Sequence, residues 1–291
     1  IKNYLLWGII AGGILNLLVF FNLFPYYYLT LDEETWRFVG TMGNSNALAI
    51  LLSFSIFSSV LLINFFIKKE KKYLKWILFF NIPASIYLVI QTGSRKGLIL
   101  SVSFLILFFL PFIKSVKGTV AAVLITLFLF SGFNYLIEEE DFSEQVEFVL
   151  KRFEGAQETI EGTGYEGSTD TRLSFIETGL DLWKDNPVLG VGFNNFRFFS
   201  GGSYAHNNFI EILANLVVIG FVLFYLFYLF TLLNVLKIKE KELRISAIFF
   251  IIVFVFMDYA WVSYYDIVYL IMLVMLTTMQ KNENEEKNEA G

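Results

Sequence analysis

Three features of the sequence predict an all-α protein that crosses a membrane several times. Hydrophobic residues make up 56% of the 291 residues and charged residues only 17%, whereas soluble domains carry roughly 25% charged residues. The apolar residues come in blocks of about 20, the length of a helix that crosses a bilayer. The third feature is the 19% aromatic content with its 34 Phe residues, which suits lipid-facing helices and the aromatic belts at membrane surfaces.

The composition also excludes several kinds of functional site. The chain has 0 Cys and 1 His, which excludes disulfide frameworks, cysteine-ligated zinc, thiol nucleophiles and multi-histidine metal sites. No basic patch indicates nucleic-acid binding. We therefore expect no metal and no cofactor, and the lipid bilayer is the first expected partner.

Eight membrane helices are predicted from the apolar blocks. The first five lie within residues 1–137 and the last three within 207–279. Residues 138–206 form a hydrophilic helical segment between them, and residues 280–291 form a polar, disordered tail. Within the hydrophilic segment, one helix is predicted over Phe142–Ile160 and a second from an Asp170 or Thr171 cap to Lys184. The predicted membrane helices are about 4–24, 46–67, 74–91, 97–113, 119–137, 207–236, 245–260 and 262–279.

The short basic loops predict the orientation of the chain in a cell membrane. Lys68–Lys75 and Lys237–Arg244 are rich in Lys and Arg, and Lys114–Lys117 is weakly basic. Such loops remain in the cytoplasm, and eight alternating spans place all three there, with both termini. Residues 138–206 and the turn at 92–96 then lie on the extracytoplasmic face.

Arg95 and Lys96 are basic residues on the predicted outer face, in the turn TGSRKG. Gly93 can end one helix and Ser94 can cap the next, which places Arg95 in a first helical turn. A cation there is unfavourable unless an anion joins it, because the helix dipole is already positive at that end. The turn therefore suits a diphosphate. The alternative is a pair of cations that extend to the membrane surface.

Arg37 lies in a second outer segment, TWRFVGTMGNSN. Its glycines and asparagines indicate an ordered loop that folds back, and Asn46 can cap the helix that follows. An ordinary connecting loop is the alternative interpretation.

His206 is the candidate general base, because an unperturbed imidazole titrates close to neutral pH. It lies where the outer segment meets the sixth long helix. Asn208 and Glu211 after it resemble a capping box, which would give Glu211 a structural role. A histidine that only packs is the alternative for His206.

The glycines of Gly190–Gly192 do not form a nucleotide fingerprint, because the third glycine and the strand–helix context are absent. Phe193, Phe196, Phe198 and Phe199 follow them, with Arg197 among them. These side chains could stack on sugars or form an interfacial belt.

Taken in order, these segments resemble the O-antigen ligase and O-antigen polymerase family. The run DTRLSFIETGLDLWKDNPVLGVGFNNF followed by AHNNFIEILANLVVIG is similar to the family's signature region, and TGSRKGLIL and RFVGTMGNSNALA are similar to its upstream motifs. The chain departs from the pattern at Val217, where glycine is common. The resemblance implies a GT-C-like fold of about twelve membrane helices, so the chain is expected to lack the first four.

The resemblance also implies the reaction and the partners. The family transfers a glycan from an undecaprenyl-diphosphate carrier to a glycan or lipid acceptor on the outer leaflet, without metal or nucleotide. Direct attack would invert the anomeric centre. Other membrane proteins of polysaccharide assembly are candidate partners.

The same resemblance assigns roles to individual residues. Arg95 and Arg37, supported by Lys96, would bind the diphosphate. Arg172 would bind the diphosphate or orient the donor, and His206 would deprotonate the acceptor hydroxyl. Asn207 is a further candidate for diphosphate or substrate binding. Arg197 is a weaker candidate for the same role, and Glu211 is a weaker catalytic candidate.

Three functions compete for this chain. A capsule or exopolysaccharide polymerase is favoured, because the Lys-, Ile- and Phe-rich composition is typical of a low-GC Gram-positive source, where lipopolysaccharide is absent. A ligase that attaches finished glycan to a lipid, a wall polymer or a protein is the second. A flippase or transporter is a remote third. Such a protein should place polar residues near the membrane midplane, whereas the predicted membrane helices of this chain are mostly apolar.

Overall fold

A computed structural model of the chain describes residues 2–23, 37–66, 72–109, 140–161 and 167–278. Its contacts divide the chain into two units, Ile1–Glu154 and Gly155–Gly291. The predicted helix at 119–137 and the predicted tail lie outside the described residues, so the count of eight spans stays a prediction. The described residues form nine α-helices: α1 Lys2–Phe20, α2 Ser45–Leu61, α3 Lys72–Gln91, α4 Arg95–Phe109, α5 Glu140–Glu161, α6 Gly167–Asp185, α7 Asn208–Val235, α8 Lys241–Met257 and α9 Ile267–Thr278.

Three helices in the described ranges are long and apolar enough to cross a membrane. They cover Ser45–Phe65, Tyr73–Gln91 and Asn208–Val235, and two shorter apolar helices cover Tyr4–Phe20 and Ile267–Thr278. These helices coincide with the apolar blocks of the sequence. Each block is long enough to form its backbone hydrogen bonds within one helix.

Helix α2 is the centre of the first unit and packs against α1, α3 and α4. Small residues allow the close approach of α4: a Cβ on Gly97 would lie 2.4 Å from the Ala49 Cβ. The Ser53 hydroxyl donates to the Gly97 carbonyl at 3.1 Å, and its oxygen lies 3.0 Å from that of Ser101. Small residues and shared hydroxyls are how membrane helices approach closely without a hydrophobic driving force.

The polar residues within these helices are used for packing. The Asn81 amide donates to the Ser55 and Ser59 hydroxyls of α2 at 2.9 and 3.0 Å. Asn16 of α1 accepts from the Thr41 backbone N–H at 2.8 Å and donates to the Thr41 hydroxyl at 3.0 Å. Asn16 therefore anchors the loop that follows Arg37.

Helix α7 is the centre of the second unit and packs against α6, α8 and α9. Its backbone leaves helical geometry at Val217. Before this break most side chains of α7 are buried, whereas Val218 and Ile219 directly after it are 49% and 68% exposed. The exposed apolar part is suited to contact with lipid.

Several helix boundaries differ from the sequence prediction. Helix α6 begins at Gly167, before the expected caps Asp170 and Thr171. Helix α9 begins at Ile267 rather than near residue 262, because the Asp266 side chain accepts from the Tyr269 N–H at 3.1 Å and caps it. Helix α8 begins at Lys241, one turn earlier than predicted.

Candidate functional site

Gly93 and Ser94 shape the turn between α3 and α4 as predicted. Gly93 has φ +59°, a conformation that favours glycine. The Ser94 hydroxyl accepts from the Gly97 N–H at 3.3 Å, so Ser94 caps α4. Helix α4 begins at Arg95, which confirms that this cation lies in a first helical turn.

Arg37 is buried against the same turn, although it lies more than fifty residues earlier in the chain. Its Nε donates to the Thr92 carbonyl at 2.6 Å. A second guanidinium nitrogen lies 3.4 Å from the Asn46 Oδ1, which also accepts from the Ser94 hydroxyl at 2.8 Å. The tertiary structure therefore brings together Arg37 and Arg95, the two arginines for which the family resemblance implied diphosphate binding.

The predicted cap of α2 is wrong. Asn44, not Asn46, caps the helix, and its Oδ1 accepts from the Asn46 and Ala47 N–H groups at 3.0 Å each. Either asparagine suits an N-cap by residue type. Asn46 is instead the second residue of the helix, where its side chain orients Arg37 and Ser94.

Arg152 of α5 is a cation at this turn that the sequence analysis missed. Its guanidinium donates to the Gly93 carbonyl at 2.6 Å, and the Arg95 guanidinium donates to the Arg152 carbonyl. Lys96 is also buried, in the first turn of α4. We call Arg37, Arg95, Lys96 and Arg152 the arginine cluster. The only sequence signal for Arg152 is a basic pair, Lys151 and Arg152, in an otherwise acidic helix.

His206 lies between two aromatic rings in the second unit. The Phe175 ring of α6 is nearly parallel to the imidazole, with centroids 6.2 Å apart, and the Tyr204 ring lies at 4.0 Å. The φ of His206 is +56°. Histidine is among the few residue types enriched in this region, and such strain is concentrated at functional sites. The imidazole is therefore packed between two aromatic rings.

Arg172 of α6 belongs to the same group of side chains. Burial raises the pKa of the Tyr204 phenol, the charge of Arg172 partly offsets this rise, and Glu211 adds to it. The Arg172 guanidinium thus lies close enough to the phenol for their charges to interact. We call Arg172, Phe175, Tyr204 and His206 the histidine cluster. Phe175 and Tyr204 were not among the predicted site residues.

The start of α7 resembles a capping box, but its residues differ from those predicted. Asn207 is the cap, not Asn208, and its side chain accepts from the Ile210 N–H at 3.1 Å. Glu211 reaches back to the Ala205 N–H at 2.6 Å. Both side chains therefore fix the backbone on either side of His206.

Asn208 connects the start of α7 to the turn after α8. Its Oδ1 accepts from the Ser263 and Tyr264 N–H groups at 2.9 and 3.1 Å. Its own N–H donates to the Asp258 carbonyl at 2.7 Å. These bonds explain why Asn208 cannot serve as the cap.

Arg197 lies in a short turn, Phe196–Phe198, that separates buried from exposed rings. Phe196 is fully buried with Phe175, Ala205 and Ala214. Phe198 is 74% exposed, and the Arg197 guanidinium carbon lies 5.6 Å from its ring centroid. Arg197 itself is exposed, and the structure places it at the surface of its unit.

The GVG segment has a structural role in α7. The N–H groups of Val191 and Gly192 donate to the Ala214 and Asn215 carbonyls at 3.0 Å each. In a regular helix these carbonyls would accept from N–H groups one turn later, but the backbone break at Val217 removes those bonds. A Cβ on Gly190 would lie 2.5 Å from the Asn215 oxygen, so this close approach requires glycine.

Val217→Gly is expected to be more stable than Val217→Ala. Val217 has φ +53° and ψ −165°, a conformation almost restricted to glycine that costs about 1–3 kcal/mol in other residues. Both variants lose the buried isopropyl group, but only the glycine variant is also relieved of the backbone strain. Thermal unfolding in detergent should therefore place Val217→Gly above Val217→Ala by about 1 kcal/mol. In an ordinary helix alanine is the more stable residue by about that amount, so alanine ranking higher would contradict this account of the break.

Comparison with known proteins covers most of these motifs. The family model described as O-antigen ligase matches residues 79–225, which is half of the chain. The match includes the turn at Arg95, helices α5 and α6, and His206, whereas Arg37 lies before it. Searches of curated proteins and of solved structures found no match. The chain is therefore a membrane protein that belongs to the O-antigen ligase family.

Proposed function

We propose that this protein transfers a glycan from an undecaprenyl-diphosphate carrier to an acceptor hydroxyl on the outer face of the cell membrane. The observation that carries the proposal is the burial of Arg37 and Arg95 against one turn, with both side chains 9% exposed. Guanidinium groups are suited to diphosphate oxygens, and family membership supports a lipid-linked glycan as the substrate.

The proposed roles follow from the chemistry of the leaving group. A diphosphate on the carrier lipid leaves readily once cations neutralise its developing charge, which is the role of Arg37, Arg95 and Lys96. The acceptor oxygen forms a bond to the anomeric carbon while the bond from that carbon to the phosphate oxygen breaks. The hydroxyl proton passes to His206. The carrier diphosphate departs, and the anomeric configuration inverts.

Arg172, Glu211 and Asn207 support this reaction in the proposal. Arg172 lies in the histidine cluster, where its charge can orient an anionic donor or acceptor. Glu211 and Asn207 hold the backbone around His206 through the bonds described above. Arg197 can contact the glycan from its exposed turn. No step of this reaction requires a metal.

A polymerase remains our first choice over a ligase, and a transporter is the least favoured. The bonds of Asn16 and Asn81 speak only against a transporter, because both side chains are used for contacts within the first unit rather than for a transport path. The orientation proposed from the basic loops places both termini in the cytoplasm and both clusters outside.

Deletion of the gene is expected to identify the step, by analysis of lipid-linked and surface glycans. For a polymerase, long surface polymer should disappear and single repeat units should accumulate on the carrier lipid. Complementation with the wild-type gene should restore long polymer, and complementation with His206→Ala should not.

Two other outcomes would change the assignment. Long polymer that stays on the carrier lipid would identify a ligase. An unchanged glycan profile would contradict a role in this pathway.

A further inference from the structure

The surface of α7 changes at Val217, where its backbone breaks. Apolar side chains are exposed from Val218 onward, and the chain carries no charged residue between Glu211 and Lys237. A hydrocarbon core about 30 Å thick takes about 20 residues of helix. About 20 residues counted back from Lys237 reach Val217. The length of the apolar surface therefore places the edge of the hydrocarbon at the break.

The loop between α6 and α7 lies at the same depth. The N–H groups of Val191 and Gly192 donate to the Ala214 and Asn215 carbonyls at 3.0 Å each. In a regular helix these carbonyls would accept from the N–H groups four residues later, which belong to the first exposed residues after the break. The loop N–H groups take those places, so this part of the loop is level with the start of the exposed apolar surface.

Three large apolar side chains of this loop are exposed. Leu189 is 85% exposed, Val188 75% and Phe193 60%, and we call these three residues the apolar patch. No charged residue lies between Asp185 and Arg197. A single exposed apolar residue is ordinary, but several in an uncharged loop, level with an exposed apolar helix surface, indicate an interaction site.

The backbone of the loop is suited to a place where water is scarce. Irregular backbone is costly beside lipid unless its polar groups have partners within the protein. The Asn194 N–H donates to the Tyr264 hydroxyl at 3.2 Å, and the Phe196 N–H donates to the Asn215 side chain at 2.8 Å. In all, the loop N–H groups with such partners are those of Gly190, Val191, Gly192, Asn194, Asn195 and Phe196.

The composition of the apolar patch favours acyl chains over a glycan as its partner. Val188 and Leu189 have neither a ring face to stack on a sugar nor a polar side-chain atom to bind its hydroxyls. Phe193 suits the aromatic belt found at membrane surfaces, which is one of the two interpretations that its sequence left open.

We propose that the apolar patch inserts into the interface of the bilayer that α7 crosses, on the side where α7 begins. The patch anchors α6 as well, because Phe196 of the same loop packs against Phe175 of α6. The Phe175 ring lies parallel to the imidazole of His206, so the anchor sets the height of the histidine cluster above the membrane surface. The inference does not depend on the transfer reaction, since its partner is the lipid surface alone.

The test is spin labelling of the purified full chain in vesicles of equal parts phosphatidylcholine and phosphatidylglycerol. The chain has 0 Cys, so each single-cysteine variant carries one nitroxide. Collisions with oxygen, which concentrates in lipid, and with a water-soluble nickel chelate report the depth of the label. Leu189→Cys should favour oxygen and lie within about 5–10 Å of the boundary between headgroups and acyl chains.

Two matched positions calibrate this depth. Asp181 lies on α6, eight residues before Leu189, and its side chain is 69% exposed. The Asp181→Cys label should therefore collide mainly with the nickel chelate. Leu226 is 49% exposed in the apolar part of α7, and the Leu226→Cys label should be the deepest of the three.

A Leu189→Cys label as accessible to nickel as the Asp181→Cys label would overturn the inference, since the loop would then lie in water. Slow collisions with both reagents would also overturn it, because protein rather than lipid would cover the apolar patch. The expected depths in a protein that transfers no glycan would support the anchor and contradict the proposed function.

Discussion

Replacing Arg95 with alanine is expected to reduce glycan transfer by roughly 100- to 1,000-fold, the loss seen when one donor to a developing negative charge is removed. Arg95 lies at the first position of α4, so in the proposed reaction its charge acts on the diphosphate together with the helix N-terminus. The measurement is transfer from a lipid-linked glycan in membranes that contain equal amounts of each variant. Arg95→Lys should lose less, because it keeps the charge and loses the planar fork.

Arg244→Ala is the matched control for this variant. Arg244 also donates to a backbone carbonyl, that of Ile238 at 3.0 Å, but it lies in a loop predicted to be cytoplasmic. Its loss should leave transfer unchanged within about twofold, as expected of an arginine outside the phosphate site. Equal effects in Arg95→Ala and Arg244→Ala would show that a lost arginine–carbonyl bond, not a lost phosphate contact, explains the result.

His206→Asn is expected to reduce transfer by about 100- to 10,000-fold, the usual contribution of a general base. Asparagine is the suitable replacement because it tolerates the positive φ of His206, whereas alanine would add backbone strain. Its amide can form hydrogen bonds but cannot take up a proton near neutral pH. The melting temperature should stay close to that of the wild type while the transfer rate falls.

Two further variants separate the imidazole from its surroundings. His206→Gly also suits the backbone, and added imidazole should restore part of its activity if the missing group is a base. Tyr204→Phe keeps the ring that contacts His206 and removes only the phenol. If Tyr204→Phe were as inactive as His206→Asn, the assignment of the base to His206 would be wrong.

Local chemistry in the sequence was sufficient to place Arg95 correctly. The residues TGSR contain a helix end, a cap and the first residue of the next helix, and each depends only on its immediate neighbours. The same reasoning failed for the cap of α2, because Asn44 and Asn46 are equally suitable by residue type. Contacts with Ser94 and Arg37, which are distant in sequence, use Asn46 for another purpose.

Val217 shows a different kind of dependence on tertiary structure. Hydropathy predicts one long helix through it, and the run NLVVIG has no glycine before Gly220. The break is stabilised by Val191 and Gly192, whose N–H groups satisfy the carbonyls that the helix leaves open. A helix interruption supported by a separate loop has no local sequence signal.

The apolar blocks and the order of the motifs were enough to predict a membrane protein of this family, because a spanning helix satisfies its own backbone and needs no distant partner. The arrangement of the charges depended on the folded chain. Arg37, Arg95 and Arg152 are far apart in sequence, and long-range packing of Arg37 and of α5 against one turn brings them together. Periodicity identifies a face of α5 but not the surface that this face contacts, so the role of Arg152 is visible only in three dimensions.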